Sequence, residues 1–113
     1  MKVNFKSNKL KKQCENPDIA RKDFGINMNN KIVMRINELR AAKDLSDIYK
    51  NRVVNGFHEL KGARNNEYAV NLVHPFRLVF TADEIDLENN EYTNIKCIRV
   101  EEVVDYHGKS KRK

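Results

Sequence analysis

The feature that most constrains the fold of this chain is a pair of short apolar runs separated by three residues. The apolar side chains of these runs are Tyr68, Val70 and Leu72, then Phe76, Leu78 and Phe80. Every second residue of each run is apolar, and this period places one side of a β-strand against a core. The connection Val73-His74-Pro75 is short enough only for a tight turn. The two runs therefore predict an antiparallel hairpin, with His74 solvated in its turn.

A third strand is predicted near the C-terminus, where Ile95, Cys97, Ile98 and Val100 begin an apolar segment. The apolar positions change parity between Cys97 and Ile98, which predicts either a strand covered on both faces or a β-bulge. At the other end of the chain, Val3 and Phe5 alternate with polar residues. That alternation predicts a short first strand with one buried side.

Two helices are predicted between these strands. Ser7 can cap the first helix, whose inner side would carry Leu10 and Cys14. The second runs from about residue 27 to 43, and its apolar residues recur at spacings of four, four and three: Met28, Ile32, Ile36 and Leu39. Between the helices, Asn16-Pro17-Asp18 and Phe24-Gly25 predict a break or a short helical turn. Arg35 is expected on the outer side of the second helix.

Taken together, the elements predict an α+β fold: a short N-terminal strand, two helices, then a three-stranded antiparallel sheet. The helices are expected on one face of the sheet, with the other face open. The chain of 113 residues, 40% apolar and 34% charged, suits one folded domain. Neither a membrane span nor a signal peptide is recognisable, which predicts a cytoplasmic protein.

Charge is unevenly distributed along the chain. Residues 1–80 carry 16 basic and 8 acidic side chains, residues 81–108 carry 2 and 8, and the last five residues carry 4 basic ones. Such segregation can direct a polyanion such as nucleic acid to one face, although basic tails also serve solubility alone. The two cysteines form no Cys-x-x-Cys or Cys/His cluster, so the sequence suggests neither a disulfide framework nor a zinc site.

Proton-handling side chains follow the last strand directly, in Asp105-Tyr106-His107. A carboxylate, a phenol and an imidazole can accept, donate and relay protons, but the same residues at a strand end can simply close a fold. Before the hairpin, His58, Lys61 and Arg64 are expected to line a loop surface, either as a functional group or as an exposed basic loop. Arg77 lies mid-strand on the face away from the core, where it pairs with a carboxylate such as Glu67 or binds an anion.

Four segments together resemble one known family. They are Phe57-His58-Glu59-Leu60-Lys61-Gly62, Tyr68-Ala69-Val70, Phe76-Arg77-Leu78-Val79-Phe80 and Asp105-Tyr106-His107. In this order and spacing they are similar to the HigB, or plasmid-maintenance killer, branch of the RelE/ParE toxin superfamily. The resemblance covers residues 1–108 as a single RelE-like domain, and residues 109–113 form a basic tail. The acidic segment 83–91 and this tail depart from the family pattern.

The resemblance implies a toxin of a type II toxin-antitoxin pair, a ribosome-dependent endoribonuclease that cleaves messenger RNA without a metal or other cofactor. It assigns catalytic roles to His58, Arg77, Asp105, Tyr106 and His107, and RNA phosphate contacts to Lys61 and Arg64. Its implied partners are a HigA-like helix-turn-helix antitoxin, the ribosome and messenger RNA, with no membrane and no small-molecule cofactor.

Two alternatives are open at this point. A toxin of the same fold could poison DNA gyrase, as the ParE branch does; His58 together with His107 argues against it, because that branch needs no general acid or base. A non-enzymatic module could instead bind nucleic acid through its basic surface alone.

Overall fold

A computed structural model describes residues 1–51, 56–60, 67–82 and 95–105, without the side chains of residues 49–51. The described residues form four helices and five strands. The helices are α1 (Asn8–Glu15), α2 (Pro17–Phe24), α3 (Ile26–Ala41) and α4 (Leu45–Asn51). The strands are β1 (Lys2–Phe5), β2 (His58–Glu59), β3 (Glu67–Asn71), β4 (Phe76–Ala82) and β5 (Cys97–Asp105). None of these helices is long and apolar enough to cross a membrane.

The strands form one mixed sheet in the order β1-β5-β4-β3-β2. The α+β class and the β3–β4 hairpin are confirmed, but the sheet is larger than the predicted three antiparallel strands. β1 adds to one edge, parallel to β5, and β2 adds to the other, antiparallel to β3. Both additions join segments that are short or distant in sequence, so local alternation gave no sign of their pairing.

The helical region also differs from the prediction, because an eight-residue helix, α2, stands where a break or a short helical turn was expected. Asn16 caps α2 with its Oδ1, which accepts hydrogen bonds from the backbone of Asp18 at 3.0 Å and Ile19 at 3.3 Å. Pro17 occupies the first helical turn, where its missing N–H costs nothing. Gly25, at φ 86°, then separates α2 from α3. The residues that predicted turns are therefore helix caps.

A single core lies between the helices and one face of the sheet. From the helices, the fully buried side chains include Ile32, Leu39, Leu45 and Ile48. From the sheet they include Tyr68, Val70, Leu78, Phe80, Ile98, Val100 and Val103, all of which share one face in the strand register. We call the opposite side of the sheet the outer face.

The last strand contains a bulge, but the bulge lies at Glu101 and not at the predicted position between Cys97 and Ile98. Val79 lies opposite Glu102, but the next residue, Phe80, lies opposite Val100, so Glu101 is the extra residue of a bulge. The bulge lets Val100 and Val103 both face the core although they are three residues apart. It also places Glu101 near the outer face, where its carboxylate accepts hydrogen bonds from Thr81 and Arg99.

Candidate active site on the outer face

A row of four paired residues crosses the sheet and forms the floor of the candidate site. His58 of β2 lies opposite Ala69 of β3, Ala69 opposite Val79 of β4, and Val79 opposite Glu102 of β5. Their strand neighbours Tyr68 and Leu78 face the core, so this row lies on the outer face. His58 was expected in a loop, and it lies instead on the short edge strand β2.

Arg77 reaches His58 across the intervening strand. Arg77 is paired with Asn71 of β3 and is two residues from Val79, so it also lies on the outer face, as predicted. Its Nη1 lies 3.2 Å from Nδ1 and 3.2 Å from Nε2 of His58. Between them β3 presents Ala69, which is about 1% exposed. The small side chain at this position leaves room for the arginine to cross.

The equal distances define how the two side chains meet. A nitrogen equally far from both ring nitrogens cannot lie in the ring plane, because it would overlap Cε1 between them. Arg77 Nη1 therefore lies over the face of the imidazole of His58, the arrangement of a cation against a π-system. Arg77 Nη1 therefore does not donate a hydrogen bond to the in-plane lone pair of either ring nitrogen.

The backbone before β2 determines which nitrogen of His58 exchanges protons. Nδ1 lies 2.9 Å from the carbonyl oxygen of Gly56, and a carbonyl only accepts, so Nδ1 carries a hydrogen and donates it. This hydrogen is present in both the neutral and the charged ring. Proton exchange at His58 therefore takes place at Nε2.

Phe57 anchors His58 to the core. Its ring stacks near Tyr68 and Phe80, with centroid distances of 5.8 and 6.2 Å, and its side chain is buried. Burial of such a side chain contributes roughly 1.5–3 kcal/mol. Because successive strand residues point to opposite faces, an anchored Phe57 holds His58 on the outer face.

Asp105 is placed differently from His58 and Arg77. It ends β5 opposite Phe76, whose side chain packs against the core, so the register puts Asp105 on the helix side of the sheet. The β5 carboxylate that this register places in the His58 row is Glu102, which has one oxygen, Oε1, buried from solvent. The sequence contained a signal for Glu102, because strand alternation places the neighbour of the core residue Val103 on the outer face. Two adjacent glutamates, Glu101 and Glu102, made it hard to tell which of them occupies that position.

The remaining predicted site residues lie outside the described part of the chain. They are Lys61, Arg64, Tyr106 and His107, together with the acidic segment 83–91 and the basic tail. Of the seven residues predicted from sequence, the structure therefore places three, and it brings two of these, His58 and Arg77, into contact.

The predicted position of Arg35 on its helix was wrong. It was expected on the outer side of its helix, but it is only 4% exposed. Its Nε donates to the backbone oxygen of Asn71 at 2.6 Å, and its Nη1 contacts Glu38 at 2.7 Å. These bonds attach α3 to the end of β3, beside Arg77, and repay the burial of the guanidinium.

Comparisons with family models, with curated proteins and with solved structures found no match to this chain. The resemblance to the HigB branch therefore stays a prediction that rests on its sequence motifs. The geometry adds a proton-exchanging nitrogen and a planar cation, held together on a rigid sheet. That pair can bind a phosphate group and move a proton beside it.

Proposed function

We propose that this chain is the toxin of a type II toxin-antitoxin system, a ribosome-dependent endoribonuclease that acts as a messenger RNA interferase. The observation that carries the proposal is the contact between Arg77 and His58, with Nη1 at 3.2 Å from both ring nitrogens. Both side chains come from sheet strands, which hold catalytic groups more rigidly than loops do. The basic character of residues 1–80 suits a polyanionic substrate.

In the proposed reaction, the 2′-hydroxyl of a ribose attacks the adjacent phosphorus and the bond to the 5′-oxygen breaks. A base removes the 2′-hydroxyl proton and an acid supplies a proton to the departing 5′-oxygen, which leaves a 2′,3′-cyclic phosphate and a 5′-hydroxyl. His58 Nε2 is one of the two proton-exchanging groups, a role typically worth about 10² to 10⁴ in rate. Arg77 binds the phosphate and offsets the negative charge that grows on its oxygens.

The second proton-exchanging group belongs to the C-terminal triplet in this proposal. His107 serves as the partner of His58, Tyr106 stacks on a base or donates a proton, and Asp105 orients His107 from the end of β5. Lys61 and Arg64 contact the RNA backbone. The cytoplasm is the compartment, and a helix-turn-helix antitoxin is the regulatory partner, for which a small open reading frame beside this gene would be supporting evidence.

The test is cleavage of a defined messenger RNA in a translating extract, with the new 5′ ends mapped. We expect His58→Ala and His107→Ala each to lower the cleavage rate by about 10² or more. Arg77→Lys keeps the charge but loses the planar fork, so we expect a loss of about ten-fold or more. Arg21→Lys, the same change at an exposed site on α2, is the matched control and should cleave like wild type.

Two results would contradict the proposal. If His58→Ala and Arg77→Lys cleaved as fast as wild type while remaining folded, this pair would not be the active site. If induction of the protein changed DNA supercoiling while messenger RNA stayed intact, gyrase would be the target instead.

A further inference from the structure

A cleft opens where α3 meets the turn between β3 and β4, next to the candidate active site. It has a volume of about 260 Å³, and its lining includes Lys31, Arg35, Asn71, His74 and Arg77. Lys31 and Arg35 are four residues apart on α3 and so share one side of that helix. Arg77 lines the cleft and also lies against His58, so the cleft and the candidate active site share this side chain.

The side chains that line the cleft carry more positive than negative charge. Three cationic side chains line it, and the lining contains no carboxylate. Glu38 pairs with Arg35 through Nη1 at 2.7 Å and so balances one of these charges. Within the described ranges Lys31 forms no ion pair. The Lys31 ammonium is therefore available to an anionic ligand in the cleft.

The charge of this cleft distinguishes it from a larger hollow of the described surface. The larger one, of about 670 Å³ on α1 and α2, is lined by two lysines and two carboxylates, so its charges cancel. The volume of the cationic cleft lies below the roughly 300–1,000 Å³ typical of pockets for drug-sized ligands. It suits a phosphate group with its attached sugar rather than a whole cofactor.

We propose that this cleft is a phosphate-binding subsite that holds the backbone of single-stranded RNA beside the linkage on which His58 acts. The inference rests on the proposed function and specifies its substrate contacts. Lys31 supplies a mobile point charge, Arg35 a fixed donor at the base of the cleft, and Arg77 joins this subsite to the scissile phosphate. The role of the cleft is to fix the register of the RNA strand, because phosphate contacts position a nucleic acid without reading its bases.

The experiment measures binding of a fluorescent 2′-O-methyl oligoribonucleotide by anisotropy over a range of salt concentrations. The methyl group removes the attacking hydroxyl, so binding is observed without cleavage. Lys31→Ala should weaken binding by roughly three- to ten-fold at low salt. It should also reduce the slope of log K against log salt by about 0.7, the value for one phosphate contact with a single strand.

The matched control is Lys9→Ala, which removes the same charge from the exposed surface of α1, and Lys31→Arg should retain most of the binding. If Lys31→Ala and Lys9→Ala bound the oligonucleotide equally well, or if wild type did not bind it, the subsite would be wrong. Cleavage of messenger RNA is measured separately. Wild-type cleavage with no specific effect of Lys31 would overturn the subsite alone, whereas a Lys31-specific loss of binding without any wild-type cleavage would overturn the nuclease alone.

Discussion

His58 shows how one residue acquires a defined chemical role from backbone atoms around it. Its sequence position says only that an imidazole is available. The carbonyl oxygen of Gly56 accepts a hydrogen bond from Nδ1 at 2.9 Å, and this leaves Nε2 as the ring nitrogen that can gain or lose a proton. Ala69 then decides whether Arg77 can reach the ring, because a larger side chain in the middle strand would stand between them.

Gly56 provides the sharpest test at the residue scale. Its backbone φ is 75°, a value that residues other than glycine rarely adopt. A Cβ at this position would collide with the side chain of Asn71. We expect Gly56→Ala to lower the free energy of unfolding by about 1–3 kcal/mol, and to lower RNA cleavage further by displacing the acceptor of Nδ1. Chemical denaturation and cleavage assays measure the two effects. Gly25→Ala is the comparison, since Gly25 has a positive φ but open space around it; an equal loss of cleavage in both variants would exclude the specific role of Gly56.

At the scale of elements, α4 depends on a carboxylate at its start. Asp44 is 7% exposed, and its Oδ1 accepts hydrogen bonds from the Ser46 hydroxyl and, at 3.1 Å, from the backbone N–H of Asp47. The Asp47 side chain in turn accepts from the backbone of Lys43 at 2.9 Å. The Ser46 hydrogen bond is the main cause that lowers the pKa of Asp44, and burial opposes it. This reciprocal cap fixes the start of the helix that leads toward β2.

The cap predicts a pH dependence of stability. A carboxyl group whose pKa is lower in the folded state stabilises the fold above its unfolded pKa of about 3.9, and loses this contribution as the pH falls through the lower folded value. We expect Asp44→Ala to cost about 1 kcal/mol at neutral pH. Asp44→Asn keeps the acceptor oxygen and should stay close to wild type there.

Urea denaturation between pH 2 and pH 7 separates the variants. Wild type should lose more stability than Asp44→Asn as the pH falls below about 4. Identical pH profiles for these two proteins would show that the Asp44 carboxylate contributes nothing through its charge.

At the scale of the whole molecule, one core joins the helices to the sheet and encloses Cys14. This thiol is 2% exposed, and burial, with a smaller contribution from the Glu15 carboxylate, raises its pKa from 9.0 to about 12. Thiolate is the reactive form, so this increase lowers its population at pH 8 by about a thousand-fold. Cys97, at the surface of the sheet, is partly exposed and accepts a hydrogen bond from Asn4.

Thiol modification therefore reports opening of the core. In a Cys97→Ser variant at pH 8, we expect Cys14 to react at least about a hundred-fold more slowly than in the same protein unfolded by guanidinium. The complementary Cys14→Ser variant should react faster in the folded state. Rapid modification of Cys14 under native conditions would mean that the helices do not cover this part of the core.

Local periodicity was sufficient for several elements. The alternation around Tyr68 and Phe80 identified the β3–β4 hairpin and the face that Arg77 occupies, and the apolar stripe of α3 identified the main helix. These patterns depend on near neighbours in the chain, so a linear sequence displays them directly. α2 was missed because proline and asparagine are found both in turns and at helix starts.

Pairings between distant segments could not be obtained in this way. The parallel contact of β1 with β5 joins residues more than 90 positions apart, and β2 is only two residues long. The burial of Arg35 was equally hidden, because it depends on a backbone oxygen of Asn71 in another element. Such features arise from tertiary packing, which no periodicity within one segment records.

By itself, the sequence determined which residue types were available for chemistry and which strand face Arg77 would occupy. Only the tertiary structure decided that Arg77 crosses Ala69 to lie over the ring of His58, that Nε2 is the nitrogen left for proton exchange, and that Asp105 points to the helix side of the sheet. The physical reason is the distance along the chain between the residues that interact. A side chain's identity and the alternation of its strand are local, whereas its partners are set by the register between strands and by the size of the residue between them.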